Sequence, residues 1–315
     1  MLSIEREEPL RVAVASDYSA QLRAALVPVL PGAIEVIEVD AASPDAALNE
    51  VEILFGSPDR VVELLPRLPA LRWVQSTWAG ITPQVAQPRR DYLLTGVKGL
   101  FGVYMAEYVL GWSLALRRSI LHYAASTHWD FRRDDGLAGL RLGIAGTGSI
   151  GAEVARRCAP FFREVVGLNS DGRRVEGFTR CYGTRERLAF GAGLDVLALV
   201  LPDTSGTDGL VDAALLDRLA PGAILINGGR ANALVLDDAL WALEGKRLSA
   251  MVLDVFAEEP LAKDSPLWRL PGLYITSHSA APTSLDAVTA LFLANLQRYC
   301  SGSTLEGVID LERGY

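Results

Sequence analysis

The chain has 315 residues, of which 50% are hydrophobic and 22% charged, and its formal net charge is −8. This composition is typical of a globular protein with room for two domains, and it excludes a largely disordered chain. With an isoelectric point of about 5.1, the chain is not expected to have a general affinity for nucleic acid or for an anionic membrane.

The sequence favours a cytoplasmic location and predicts no metal site. Its first ten residues lack the apolar core of a signal peptide, and charges at Glu107 and Arg117 interrupt the longest apolar run before it could span a membrane. The chain has three cysteines, Cys158, Cys181 and Cys300. They form no C-x-x-C pair, so reduced thiols that serve as packing residues are expected.

Short strand-like runs alternate with helical ones in the first third of the chain. Strands are predicted at residues 11–15, 34–39, 51–55, 71–76 and 92–95, and helices at residues 19–30 and 60–65. This βαβ alternation implies a parallel sheet covered by helices. Because no glycine-rich turn follows the first strand, this part of the chain is not expected to hold a nucleotide.

A second run of alternating elements follows a predicted helix at residues 104–123 and an irregular passage at 128–139. Apolar spacing predicts strands at residues 142–145, 165–168, 178–182, 194–200, 223–227, 250–254 and 273–277, with helices at 211–219 and 236–243. One doubly wound sheet accommodates these strands. A last helix, at 284–299, is predicted to return to the first domain, which makes that domain discontinuous.

A glycine-rich turn joins a predicted strand to a predicted helix between Leu142 and Gly151, where the sequence is L-G-I-A-G-T-G-S-I-G. In a dinucleotide-binding fold the first glycine permits the bend, the second lets the backbone approach the pyrophosphate, and the third lets the helix pack closely on the strand. The phosphates lie at the helix N-terminus, where unpaired N–H groups favour negative charge. Cofactor contacts are therefore predicted at Gly146, Gly148, Ser149 and Ile150.

Functional side chains follow three later strands of the predicted sheet. They are Arg230 in I-N-G-G-R, Glu259 in L-D-V-F-A-E-E-P and His278 in T-S-H-S-A-A-P. Because ligands of open α/β sheets bind beyond the carboxyl ends of the strands, we expect these side chains to converge. A guanidinium can clamp a substrate carboxylate, an imidazolium can protonate a carbonyl oxygen, and a nearby carboxylate stabilises that imidazolium. The three residues form the candidate catalytic set.

Structural interpretations of the same residues stay open. An arginine after two glycines is often a surface salt-bridge or capping residue. Glu258, directly before Glu259, is not expected to be the partner of His278. Asp254, at the end of its predicted strand, could contact the cofactor or cap the following turn.

The motifs G-T-G-S-I-G, N-G-G-R, D-V-F-A-E-E-P and S-H-S-A-A-P together resemble the D-isomer-specific 2-hydroxyacid dehydrogenase family. Within that family the short bacterial glyoxylate/hydroxypyruvate reductases are the most similar, including at the ending V-I-D-L-E-R-G-Y of residues 308–315. The resemblance covers nearly the whole chain and is strongest from Leu140 to Pro282.

The resemblance implies an α/β protein with two doubly wound parallel-sheet domains. A flavodoxin-like substrate domain would comprise residues 1–103 and 284–315, and a Rossmann dinucleotide-binding domain residues 104–283. It also makes Arg230 and His278 active-site residues, with Glu259 completing the relay.

Further roles are implied by the resemblance alone. Backbone N–H groups of a turn at residues 76–80 would bind the substrate carboxylate, with Trp78, Ala79 and Gly80 as contacts, and Trp129 would lie near the active site of the partner subunit in a homodimer. Ala231 departs from the family, where many members have glycine, and this alters the local turn. The formate-oxidising branch has glutamine at the position of Glu259, so formate is not an expected substrate.

The residues that follow the predicted strand at 165–168, in the dinucleotide-binding domain, bear on the choice between NADP and NAD. The position where NAD-preferring relatives have an aspartate carries Asn169, which does not repel a 2′-phosphate. Ser170, Arg173 and Arg174 could bind that phosphate, so NADP is favoured. A small shift in register would instead make Asp171 an acidic ribose ligand, which keeps NAD as the alternative. Further cofactor contacts are expected at Leu201, Pro202, Asn227, Gly228, Asp254 and His278.

These residues predict an enzyme that reduces a small 2-oxo acid, such as glyoxylate or hydroxypyruvate, to the D-2-hydroxy acid with NAD(P)H. A dinucleotide-sensing corepressor is the alternative for the same fold. Such corepressors have long disordered flanks, whereas the first strand here is predicted near Arg11 and the chain ends soon after its last helix. An enzyme with a small-molecule substrate, and without nucleic-acid or membrane partners, is therefore expected.

Overall fold

The computed structural model describes residues 9–133 and 136–312. The chain divides into two compact units, one of Met1–Leu100 with Thr283–Tyr315 and one of Phe101–Pro282. The predicted boundaries, after residues 103 and 283, fall slightly later in the chain than these. The acidic start at residues 1–8 and the end of the C-terminal motif at residues 313–315 lie outside the described residues.

The first unit contains a parallel sheet whose strands, within the described residues, have the order β2-β1-β3-β4-β5. This is the flavodoxin-like order, as predicted. Its strands are buried between helices, so they consist mostly of apolar residues rather than of alternating ones. The elements are β1 (Leu10–Ala15), α1 (Ser19–Leu26), β2 (Ile34–Glu38), α2 (Asp45–Leu48), β3 (Ile53–Gly56), α3 (Pro58–Leu64), β4 (Trp73–Ser76), α4 (Thr82–Val85) and β5 (Leu93–Thr95).

The second unit contains a longer parallel sheet, with the order β12-β11-β10-β9-β6-β7-β8 among the described strands. The strand order reverses between β6 and β9, which makes this pair the switch point of a doubly wound sheet. The elements are α5 (Gly102–Arg117), α6 (Ile120–Ala125), β6 (Arg141–Ala145), α7 (Ser149–Cys158), β7 (Glu164–Asn169), β8 (Arg180–Gly183), α8 (Arg187–Gly191), β9 (Val196–Leu199), α9 (Ala213–Leu216), β10 (Ala223–Asn227), α10 (Leu236–Glu244), β11 (Leu248–Leu253) and β12 (Leu273–Ile275).

Helices cover both faces of this second sheet. Met105 and Val109 of α5 and Val154 of α7 are buried in the apolar layer on one face. Leu215 of α9 and Ala239 of α10 are buried in the layer on the other. Because both faces are covered, the carboxyl-terminal edge of the sheet is the place where its loops can form a site.

The last helix, α11 (Leu285–Cys300), belongs to the first unit. Its Phe292 is fully buried and stacks on Phe55 of β3, with ring centroids 4.5 Å apart, and on Trp73 of β4, at 5.4 Å. Its Asn295 donates a hydrogen bond of 3.1 Å to the buried amide oxygen of Gln75. The C-terminal helix thus completes the core of the unit formed by the start of the chain.

One long predicted helix is wrong. In place of a continuous helix at residues 104–123, α5 ends at Arg117 and α6 begins at Ile120, with Ser119 between them in a left-handed conformation (φ +50°). Apolar spacing continues across this break, and a periodic pattern does not register a single left-handed residue.

Two other predicted helices are shorter in the structure. The helix predicted at 19–30 ends at Leu26, two residues before Pro28. The helix predicted at 211–219 is reduced to α9, because Val211 is extended and pairs with Leu234. No helix in the described ranges has both the length and the apolar character needed to cross a membrane.

Candidate active site

The turn after β6 has the backbone geometry of a close approach. Gly146 has a φ of +101°, and a Cβ atom on it would lie 2.8 Å from the carbonyl oxygen of Val200. A Cβ atom on Gly151 would lie 1.8 Å from the carbonyl oxygen of Gly146, so only glycine lets α7 begin here. A Cβ atom on Gly148, in contrast, would have no heavy atom of the described residues within 4 Å, apart from its chain neighbours. The turn is tight on its protein side and open on its outer side.

The N-terminus of α7 fits a dinucleotide pyrophosphate. No side chain caps this helix, and the N–H groups of Gly148, Ser149 and Ile150 have no protein acceptor among the described residues. Free N–H groups and the positive end of the helix dipole both attract an anion. These residues could therefore hold the phosphates of a nicotinamide dinucleotide.

Asn169, at the end of β7, connects this turn to the next loop. Its amide nitrogen donates to the hydroxyl of Thr147 at 3.0 Å and to the carbonyl of Arg173 at 2.9 Å. Its amide oxygen accepts the N–H group of Gly172 at 2.6 Å. Both ends of this buried side chain are thus used within the protein, and Asn169 organises the loop. Its direct contact with the cofactor stays a prediction.

The loop that follows Asn169 is charged and exposed. Asp171 accepts the N–H group and the guanidinium of Arg173, each at 3.2 Å. The hydrogen bond from the Arg173 N–H holds the pKa of Asp171 below its usual value, so this carboxylate is ionised. Ser170 and Arg174 are exposed beside this pair.

Arg230 follows β10 in a loop held by short-range hydrogen bonds. The side chain of Asn227 accepts the N–H group of Gly229 at 3.1 Å and donates to the carbonyl of Arg230 at 3.2 Å. A Cβ atom on Gly229 would lie 2.8 Å from the backbone nitrogen of buried Leu201, so the loop packs tightly on the end of β9. Burial lowers the pKa of Arg230, while the charges of Asp203 and Glu259 oppose that effect.

His278 and Glu259 are in direct contact. The Nδ1 atom of His278 lies 2.7 Å from Oε2 of Glu259, and Oε1 of Glu259 accepts the N–H group of Phe256 at 2.9 Å. The adjacent Glu258 is exposed. The imidazole side chain is 52% exposed, so its Nε2 atom can reach a ligand. A carboxylate held in this way fixes the orientation of the ring.

Asp254, at the end of β11, holds the loop that carries His278. Its buried carboxylate accepts the N–H groups of Ser279 at 2.8 Å and Ala280 at 2.9 Å, and its main-chain carbonyl accepts that of His278 at 2.9 Å. Asp254 was expected either to contact the cofactor or to cap a turn, and in the structure it caps the turn at residues 278–280. Its contact with the cofactor stays a prediction.

The candidate catalytic residues meet at one edge of the second sheet. Arg230, Glu259 and His278 follow the adjacent strands β10, β11 and β12, respectively. A cleft of about 480 Å³ adjoins the arginine. Its polar lining includes Asp203, Asn227 and Arg230, and its apolar wall includes Leu236 and Phe256. The edge therefore combines an anion-binding group with a proton-carrying group.

The predicted substrate-binding turn lies in the first unit, after β4. The hydroxyl of Ser76 accepts the N–H group of Trp78 at 3.1 Å and donates to its carbonyl at 2.9 Å. The Trp78 N–H group is therefore already used. The N–H groups of Ala79 and Gly80 have no acceptor in the part of the chain that the structure describes, which makes these two the better candidates for binding an anion.

Large apolar side chains are exposed on and after α6. Trp129 is 94% exposed and Phe131 78%, and Ile120, Leu121 and Tyr123 are also exposed. We call these five residues the α6 surface. Exposed apolar patches of this kind commonly mark contacts between proteins.

Two contributions to these sites are not evident from the sequence. In the sequence motifs, Thr147 is only a spacer between glycines and Ser76 is only part of a turn. Their hydrogen-bond partners, Asn169 and the N–H group of Trp78, are known only from the folded structure. Among the described residues, no group of three or more His, Cys, Asp or Glu side chains is placed to hold a metal ion.

Comparison with known proteins identifies relatives of both units. The family model for "D-isomer specific 2-hydroxyacid dehydrogenase, NAD binding domain" matches residues 111–280. A glyoxylate/hydroxypyruvate reductase A of Serratia proteamaculans is 39% identical over 174 residues, which is 55% of this chain and 56% of that protein. The chain thus spans little more than half the length of this curated relative.

Two solved structures are similar over nearly their whole length. A D-isomer specific 2-hydroxyacid dehydrogenase family protein from Aeromonas salmonicida is 37% identical, with a TM-score of 0.88 over 96% of this chain and 99% of that one. An NADPH-dependent glyoxylate/hydroxypyruvate reductase from Sinorhizobium meliloti, solved with NADP and sulfate, is 30% identical, with a TM-score of 0.86 over 97% of this chain and 99% of that one.

The predictions of a two-domain α/β fold, of a nicotinamide dinucleotide as cofactor and of an oxidoreductase class are confirmed by these matches. Because the family model covers more than half of the chain and includes the glycine turn, Arg230 and His278, the chain belongs to the D-isomer specific 2-hydroxyacid dehydrogenase family.

Proposed function

We propose that the protein reduces a small 2-oxo acid, with glyoxylate and hydroxypyruvate as the leading candidates, to the D-2-hydroxy acid with NADPH. The observation that carries this proposal is the contact of 2.7 Å between His278 and Glu259 at the sheet edge that also bears Arg230. The names of the Serratia and Sinorhizobium relatives support the choice of substrates.

Each of the three residues has one task in the proposed reaction. The nicotinamide cofactor, when bound, supplies a hydride to the carbonyl carbon of the substrate. Arg230 binds the carboxylate of the 2-oxo acid and orients its carbonyl group. His278 donates a proton from Nε2 to the carbonyl oxygen, which becomes the hydroxyl of the product. Glu259 holds Nδ1 and stabilises the protonated ring before that transfer.

We also propose that the N–H groups of Ala79 and Gly80 bind the substrate carboxylate. Their lack of an acceptor among the described residues supports this role, as does the resemblance of residues 76–80 to the carboxylate-binding turn of the family. Trp78 contributes its exposed ring to this turn and no free N–H group.

A panel of 2-oxo acids tests the proposed activity, with NADPH absorbance as the readout. We expect turnover with glyoxylate or hydroxypyruvate, and a kcat at least ~100-fold lower in His278→Asn, because the general acid is lost. Glu259→Gln should lower kcat by about tenfold or more, whereas the matched control Glu258→Gln should stay within about twofold of the wild type. NADPH binding should survive in all three variants. Wild-type turnover in His278→Asn would refute the assignment of His278 as general acid. A wild-type protein that turns over no 2-oxo acid would refute the proposed function.

We propose NADPH as the preferred cofactor. The exposed Ser170, Arg173 and Arg174 support this preference, since a 2′-phosphate can replace the carboxylate of Asp171 as the partner of Arg173. Titration calorimetry with NADP and NAD tests it. Arg173→Ala should weaken NADP binding by about tenfold and leave NAD binding nearly unchanged. The exposed Arg163 supplies the control variant, Arg163→Ala. Tighter binding of NAD than of NADP by the wild type would reverse the preference.

We propose a homodimer that buries the α6 surface. Its five exposed apolar residues support this assembly, as does the cleft of about 560 Å³ beside them, which Tyr123 and Phe131 help to line. Light scattering after size exclusion should report twice the chain mass, and Trp129→Ser with Phe131→Ser should shift it towards the monomer. A wild-type monomer at micromolar concentration would rule the dimer out.

We place the protein in the cytoplasm. Cys158 and Cys181 are free thiols, and burial raises the pKa of Cys158 to about 12, which keeps it protonated and unreactive. Fractionation of cells that carry a tagged chain tests this location.

A further inference from the structure

His278 has a backbone conformation that a residue with a side chain adopts rarely. Its φ is +52°, in the left-handed region. The carbonyl and carboxylate of Asp254 hold residues 278–280 in place, so the direction of the imidazole depends on the position of that carboxylate. A group that fixes the position of the Asp254 carboxylate therefore also fixes the orientation of the His278 ring.

Two hydroxyl groups also hold this carboxylate, through the same oxygen that accepts the N–H group of Ser279. Thr276 donates its hydroxyl hydrogen bond to Oδ1 of Asp254. The same hydroxyl lies 2.7 Å from that of Tyr108. Because Thr276 donates its only hydroxyl hydrogen to the carboxylate, its oxygen must accept the hydrogen bond that the hydroxyl of Tyr108 donates. The order is Tyr108 to Thr276 to Asp254, in which each bond polarises the next.

Tyr108 is well placed to be the fixed end of this series of hydrogen bonds. It lies on α5, and its ring packs edge-on against Trp112 at a centroid distance of 6.3 Å. Burial raises the pKa of Tyr108 above its usual value, so its hydroxyl remains a donor across the range in which enzymes are assayed. A helix thereby anchors a loop that lies far from it in sequence.

We propose that Tyr108 and Thr276 are positioning residues for His278, acting through the carboxylate of Asp254. This inference rests on the proposed role of His278 as proton donor. Neither residue is expected to touch substrate. Their loss should therefore reduce kcat while the KM for the 2-oxo acid and the binding of NADPH stay close to wild type.

Thr276→Val is the first test, because valine keeps the shape and removes the hydroxyl. We expect kcat to fall by about tenfold, and Thr276→Ser, which restores the hydroxyl, to recover at least half of the wild-type kcat. The matched control is Thr289→Val, since the buried hydroxyl of Thr289 has no partner among the described residues. That control should retain the wild-type kcat.

Tyr108→Phe tests the far end of this series of hydrogen bonds and covers the case that Thr276→Val does not fold. We expect kcat to fall by about threefold, as one neutral hydrogen bond is lost. Tyr92→Phe is its control, because the buried hydroxyl of Tyr92 likewise has no partner in the described ranges.

Histidine NMR separates this inference from the proposed function. The chain has three histidines, His122, His128 and His278, so the imidazole signals can be assigned with single variants. In Thr276→Val and Tyr108→Phe the ring signals of His278 should move, and those of His122 and His128 should not. If the wild type turns over no 2-oxo acid, the proposed function fails while these signals still report the position of the ring. Unmoved His278 signals, or a kcat in both variants equal to that of the two controls, would overturn the positioning role.

Discussion

The side-chain amide of Asn169 donates a hydrogen bond of 3.0 Å to the hydroxyl of Thr147, which joins the end of β7 to the glycine turn after β6. The same side chain bonds the backbone of Gly172 and Arg173. The turn predicted to hold the pyrophosphate and the loop predicted to contact the ribose are thus held in a fixed position relative to each other.

Replacing Asn169 should destabilise the protein more than a surface change does. Asn169→Leu leaves the N–H group of Gly172 and the hydroxyl of Thr147 without their partner, so the free energy of unfolding should fall by about 1–3 kcal/mol. Urea denaturation measures it. Ser170→Ala, at an exposed position, is the control and should change the value by less than about 0.5 kcal/mol. A wild-type unfolding free energy in Asn169→Leu would show that these bonds do not support the loop.

The two later glycines of the turn should respond differently to alanine. Gly148 has a φ of −68° and open space around a Cβ, so Gly148→Ala should keep the wild-type melting temperature. Its methyl group would occupy the space of the pyrophosphate, and NADPH binding should weaken by about tenfold or more. Gly151→Ala forces a Cβ to 1.8 Å from a carbonyl oxygen and should cost about 3 kcal/mol of stability or more. Calorimetry of folding and of binding distinguishes the two; equal effects of both variants on both quantities would contradict this.

Phe292 should be a large contributor to the stability of the first unit. The ring is fully buried between Phe55 and Trp73, so Phe292→Ala should lower the free energy of unfolding by about 3–5 kcal/mol. Phe161→Ala, at an exposed site, is the control and should cost far less. A loss below about 1 kcal/mol for Phe292→Ala would mean that α11 adds little to this core.

The ion pair of Asp212 with Arg187 should make stability depend on pH. The two guanidinium nitrogens lie 2.6 Å and 2.8 Å from the carboxylate, which also caps α9. The hydrogen bonds from Arg187 lower the pKa of Asp212. A carboxyl group whose pKa is lowered by folding stabilises the protein above its unfolded pKa of about 3.9, and this stabilisation is lost as the pH falls through the folded value.

Asp212→Asn tests that dependence. At pH 7 it should lower the free energy of unfolding by about 1 kcal/mol, and the difference from wild type should shrink as the pH approaches 3. The exposed Asp217, changed to asparagine, is the control. A difference that stays constant between pH 7 and pH 3 would show that ionisation of Asp212 is not the cause.

Much of the candidate site could be predicted from single stretches of sequence. The glycine turn, the residue order at the ends of β10, β11 and β12, and the choice of Glu259 over Glu258 all depend on motifs of a few residues. The position of such motifs can be predicted because the residues that follow a parallel strand lie at the carboxyl-terminal edge of its sheet. The break in the helix at Ser119 could not be predicted, since one residue with a positive φ leaves the apolar spacing intact.

By itself, the sequence predicted most of the strands and helices, a dinucleotide-binding second half, and a guanidinium, a carboxylate and an imidazole at the ends of neighbouring strands. These properties follow from local spacing and local chemistry. Only the tertiary structure decided that the amide of Asn169 is used by Thr147, that the N–H group of Trp78 is used by Ser76, and that Tyr108 supports Asp254 through Thr276. A hydrogen bond needs its two atoms within about 3.5 Å, and for partners far apart in the chain that distance exists only after the sheets and helices have packed.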